Sequence, residues 1–77
     1  MPGFDTQKDW AEIRYRVHDP NLYSTCRRKN LTDGVDAVMC KRKDSSAWEI
    51  QALRFAKSKF SMAEARKWYA DHKDSFQ

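Results

Sequence analysis

The alternation of apolar and polar positions divides the chain into several short extended segments followed by one helical segment. Glu12-Ile13-Arg14-Tyr15-Arg16-Val17 alternates strictly, with Ile13, Tyr15 and Val17 on one face and Glu12, Arg14 and Arg16 on the other. Period two over six residues, with β-branched and aromatic members, predicts a strand with one wet face. Asp19-Pro20-Asn21 ends it, because the residue before proline avoids the helical region and both neighbours favour turns. From Leu22 to Asp33 no clear period emerges, and Leu22 and Tyr23 stand out only as apolar anchors. Thr32-Asp33-Gly34 is a turn signal, with glycine free to adopt a positive φ. Val35-Asp36-Ala37-Val38-Met39-Cys40 reads as a strand, and its nearly continuous apolar run from Ala37 predicts an interior position covered on both faces. After the short polar link Asp44-Ser45-Ser46 the next strand returns as an antiparallel hairpin partner. Trp48, Ile50 and Ala52 share one parity there, while Leu53 and Phe55 take the other. Such a switch predicts a β-bulge near Ala52 or Leu53.

The period then changes to that of a helix. Ser61 followed by Glu64 forms a capping box, in which the serine oxygen accepts the Glu64 amide and the carboxylate accepts the Ser61 amide. Phe60 stands just outside the cap, in the staple position. Good helix formers run on to Lys73, and His72 and Lys73 place basic groups at the negative end of the helix dipole. Met62, Ala65, Trp68, Tyr69 and His72 line one side of this helix. The pattern predicts an α+β fold: a small antiparallel sheet of about three strands, covered on one face by a C-terminal helix. Residues 1–9, polar and containing Pro2 and Gly3, read as a flexible N-terminal arm that Trp10 pins to a single domain over residues 10–77.

Composition narrows the picture. Seventy-seven residues allow one small core, and ten aromatic residues argue for a packed core over disorder. No apolar stretch reaches membrane-spanning length. Met1-Pro2-Gly3-Phe4-Asp5 has neither the basic start nor the apolar run of a secretory leader, which points to a cytoplasmic protein with Cys26 and Cys40 as reduced thiols. The net charge is +4, and it is local: six basic and two acidic residues lie between Tyr23 and Lys43, while the rest of the chain balances. Such a stretch attracts phosphate backbones or acidic proteins.

Candidate chemistry is sparse. Cys26, Cys40, His18 and His72 are the soft ligands, and thirteen residues separate the two cysteines. Structural zinc sites pair ligands at closer spacing, so no metal or cofactor is expected. No glycine elbow, HExxH motif or phosphate loop organises the Ser, His and Asp residues, and an enzyme is not expected. The basic triplets Arg27-Arg28-Lys29 and Lys41-Arg42-Lys43 remain, with Tyr23 and Trp48 near enough in sequence to stack on bases.

Phe60-Ser61-Met62-Ala63-Glu64-Ala65-Arg66-Lys67-Trp68 followed by His72 resembles the ending of small phage and prophage accessory proteins. There an aromatic residue, Ser or Thr, Glu-Ala, Trp and a later His close a β-rich segment. Arg14 to Pro20, Arg28-Lys29, Gly34-Val35 and Gln51 to Phe55 fit the same pattern. The resemblance implies a phage or mobile-element origin and an accessory, host-takeover or virion-assembly role, and it carries over no catalytic residue. Two functions follow as expectations. One is nucleic-acid binding, DNA or RNA, through the two triplets with Tyr23 or Trp48. The other is docking of the same surface on an acidic host or virion protein, in the host cytoplasm. Oligomer formation stays open.

Overall fold

A computed structural model describes residues 3–75. Five strands form one antiparallel sheet: β1 (Gly3–Asp5), β2 (Glu12–Arg16), β3 (Tyr23–Thr32), β4 (Val35–Arg42) and β5 (Trp48–Ala56). Their spatial order is β1-β2-β5-β4-β3, and helix α1 (Met62–His72) covers one face. The fold is α+β, but with five strands where the polarity pattern gives about three. The two additional strands are the edges.

β3 lacks an apolar face to announce it: after the buried Tyr23, residues 24–30 are all exposed. β1 lies inside the stretch read as a flexible arm. It pairs Gly3 with Arg16, Phe4 with Tyr15 and Asp5 with Arg14. Phe4 is the one apolar residue that anchors it, with its ring 4.4 Å from Tyr15 and 6.1 Å from Tyr69.

The interior strands follow the sequence pattern closely. Ile13 from β2, Val35 and Ala37 from β4, and Leu53 and Phe55 from β5 are buried together against Ala65 of α1. Phe55 is central, with Trp68 at 5.6 Å and Phe60 at 5.4 Å, both edge-on. The parity switch in β5 is a bulge at Gln51: Val38 pairs with Ala52 and Met39 with Ile50, leaving Gln51 without a partner on β4. It sits one residue before the expected place. Gln51 is buried, and both of its amide groups serve the loop after β2. Its side-chain nitrogen donates to the His18 carbonyl (2.8 Å), and its backbone carbonyl accepts from Val17 and His18.

The capping box of α1 forms as the sequence predicts. Glu64 donates its amide to Ser61 Oγ (3.2 Å), and Ser61 donates its own to Glu64 Oε1 (2.9 Å). Met62, Trp68 and Tyr69 join Ala65 on the core side, whereas His72 is exposed and stacks on Trp68 with ring centroids 4.0 Å apart. The β3–β4 turn packs beneath the helix entrance. Gly34 has φ 82°, and a Cβ on it would lie 2.9 Å from Lys59 Cδ and 3.1 Å from the Phe60 ring. The positive φ strains any side chain placed there, and its Cβ would also make Lys59 and Phe60 shift.

The two cysteines are joined, contrary to the expectation of free thiols. Cys26 and Cys40 lie directly opposite each other on β3 and β4, with Cα atoms 4.1 Å apart. This is the short separation of a facing pair across an antiparallel ladder, and it brings the two side chains together on one face. Cys40 is fully buried, and Cys26 is at the exposed edge.

Candidate functional site

Strand geometry decides which basic residues can act together. Side chains alternate between faces, and residues directly opposite on neighbouring strands share a face. Lys29 pairs with Ala37, which pairs with Leu53, so Lys29 lies on the helix side of the sheet. Arg27, opposite Met39, and Lys41, opposite Trp48, lie on that side too. Arg28 and Cys26 therefore point to the other side, together with Val38, Cys40 and Arg42. The two triplets do not form one surface. Strand parity splits them.

On the helix side, beyond the reach of α1, a cationic margin surrounds an exposed indole. The Arg27 guanidinium stands 4.5 Å over the Trp48 ring, and Lys41 Nζ is 6.0 Å from it. Trp48 is 38 % exposed, one of two large apolar side chains so open to solvent among the described residues. Lys29 follows two residues along β3, a step of about 7 Å. Lys29, like Lys43 in the β4–β5 connection, is exposed and has no ion pair among the described residues. Cation–π contact fixes Arg27 without neutralising it, so its charge stays available to a ligand.

On the opposite face Arg28, Arg42 and Arg14 are already engaged, whereas Arg16 has no ion pair among the described residues. Arg28 donates Nη2 to Glu12 and Nε to Asp36 (3.1 Å). Arg42 donates Nε to Glu49 at 2.5 Å, and His18 lies 3.5 Å from the same carboxylate. Arg14 grips Asp5 through two hydrogen bonds of 2.9 and 2.6 Å. The Arg42 guanidinium holds the Glu49 carboxyl below its ordinary range, and Arg14 does the same for Asp5. Arg54, opposite Arg14 on β5, has its nearest carboxylate, Glu12, at 3.9 Å, and burial lowers its pKa. It borders a recess of about 220 Å³ with Trp10, Ala11 and Glu12.

Tyr23 departs from its expected role as a stacking residue. It is 7 % exposed, with the Arg42 guanidinium 5.7 Å over its ring. Burial, then the charge of Glu49, raises its pKa. A tyrosine buried to this extent cannot take a base on its face, whereas the indole of Trp48 stays open to solvent. Of the eight residues singled out in the sequence, Arg27, Lys29, Lys41 and Trp48 come together, Lys43 stands near their end, and Arg28, Arg42 and Tyr23 belong elsewhere.

Sequence reasoning missed the disulfide and the carboxylates that hold Arg28 and Arg42. A signal for the first was present: Cys26 and Cys40 are each seven residues from Asp33, the centre of the turn. Two hairpin arms about that turn place them face to face. Among the described residues no group of three His, Cys, Asp or Glu side chains is placed to hold a metal ion. No described helix is long and apolar enough to cross a membrane. In comparison with known proteins, the chain matches no family model, no curated protein and no solved structure.

Proposed function

We propose that this protein is a small, non-catalytic nucleic-acid-binding module of phage type, and that it takes single strands on its helix-side margin. Arg27, Lys29 and Lys41 neutralise successive phosphates, Lys43 adds charge at the end, and Trp48 offers a face on which a base stacks. The observation that carries this reading is the exposed Trp48 bracketed by Arg27 and Lys41. An aromatic platform within a cationic track is the usual arrangement for binding single strands without sequence preference. A duplex groove reader would present basic side chains along a helix. Here Lys67 of the helix is already paired with Asp71 at 3.0 Å.

The test is a titration of fluorescently labelled single-stranded and duplex oligonucleotides at low salt. Single strands bind more tightly than duplex, and Trp48→Ala weakens binding about tenfold, within the range for loss of one stacked base. Absence of binding to either nucleic acid, even with excess protein, overturns the proposal. The open backbone edge of β3 favours a second reading, docking on an acidic protein of the host or virion.

A further inference from the structure

β3 is an unusually complete edge. It is ten residues long, among the described residues it pairs only with β4, and the opposite edge, β1, has three residues. Residues 24–30 are exposed, and none of their backbone groups enters a turn or loop hydrogen bond among the described residues. Every second residue of such a strand turns its N–H and C=O outward, which is a ready template for another strand. Natural edges are commonly guarded by charge, and Arg27-Arg28-Lys29 does this here. The guard is of one sign, so it selects as well as repels.

A second copy of this chain is a poor occupant. Antiparallel pairing of two β3 strands about Arg28 sets Arg27 opposite Lys29 of the other copy, twice over, and like charges directly opposite are destabilising. The geometry points to an extended acidic segment of another protein, added to the sheet as a sixth strand. This inference deepens the protein-docking reading; it shares Arg27 and Lys29 with the nucleic-acid reading but adds main-chain strand pairing, which a nucleic acid does not make. It also fixes the pattern of the segment. On the helix side its residues face Arg27 and Lys29, two positions apart, and these call for carboxylates. On the other face Arg28 is already shared between Glu12 and Asp36, and the Cys26–Cys40 bridge lies beside it. The intervening residue is therefore uncharged and β-branched, giving an acidic, apolar, acidic alternation. Main-chain hydrogen bonds supply affinity and the alternate side chains supply selectivity.

The probes are three octapeptides of alternating Glu and Val: one unmodified, one with its odd amides N-methylated and one with its even amides N-methylated. All carry the same charge, but each methylated peptide loses one row of donors. We expect the unmodified peptide to bind at low salt and to slow hydrogen exchange at alternate amides within residues 24–30. One methylated peptide loses at least tenfold in affinity while the other keeps it, because only one row faces β3. Equal affinity for all three peptides would show attraction by charge alone and overturn strand addition, as would absence of binding by the unmodified peptide. Oligonucleotide binding has no such dependence on peptide amides, so failure here and failure of the nucleic-acid reading are separable.

Discussion

Arg27 and Arg28 are adjacent and chemically identical, yet they have different roles. Arg27 lies over an indole with its charge unopposed, whereas Arg28 is held by Glu12 and Asp36. One step along a strand reverses the face, and the strand carboxylates Asp5, Glu12, Asp36 and Glu49 lie on the face of Arg28. At the same scale, the Ser61 cap closes the first turn of α1 through two reciprocal hydrogen bonds. Ser61→Ala should lower unfolding free energy by about 1 kcal/mol, since it leaves the Glu64 amide without its side-chain acceptor. Urea denaturation followed by circular dichroism measures this directly. Coincident curves for variant and parent would show that the cap contributes nothing. Gln51 illustrates the other kind of single-residue control. A bulge leaves one residue unpaired, and this one is a buried amide that satisfies the loop after β2 instead.

At the scale of elements, legibility followed burial. β2, β4, β5 and α1 bury one face or both, so their apolar residues recur at the period of the element, and each was readable. β3 buries Tyr23 and half-buries Leu31, and eight exposed residues between and beside them carry no period. β1 is too short to show one. The disulfide was hidden for the same reason, since its position depends on recognising β3 as the partner of β4. Its role in the element is to clasp an edge strand that has one neighbour. The closed loop spans a sequence separation of 14, for which chain-entropy reasoning gives about 3 kcal/mol. A Cys26→Ala, Cys40→Ala double variant should be destabilised by about that amount, and a dithiol reductant should lower the stability of the parent but not of the variant. Calorimetric scans with and without reductant check both. A parent melt unaffected by reductant, with its thiols demonstrably free, would contradict the clasp.

At the scale of the whole molecule, the sheet separates two kinds of charge. One face carries Arg14, Arg28 and Arg42 paired with carboxylates, with Arg16 and Arg54 less engaged beside them; the other carries the aromatic core, the helix and the cationic margin around Trp48. The sequence shows the local excess of +4 but not its division, because parity in β3 cannot be assigned without its register. The compensated face makes stability depend on pH. Asp5 and Glu49 sit below their ordinary values of 3.8 and 4.5, chiefly through hydrogen bonds from Arg14 and Arg42. The unfolded chain takes up these protons first, so the stabilisation is complete above the ordinary values and is lost as pH falls through the lowered ones. Melting temperature should therefore drop below about pH 4.5, less steeply in Arg14→Gln and Arg42→Gln. A flat acid limb in the parent would remove these pairs from the account.

The central claim is that parity sorts the basic residues into a binding set and a structural set. Binding of a labelled single-stranded oligonucleotide across a salt series, for two variants of equal charge change, tests it most directly. Arg27→Gln with Lys41→Gln should reduce the slope of log affinity against log salt by about 1.4, two phosphates at about 0.7 each. Arg28→Gln with Arg42→Gln should leave the slope unchanged. Equal losses from the two pairs, or loss from the second alone, would contradict the account.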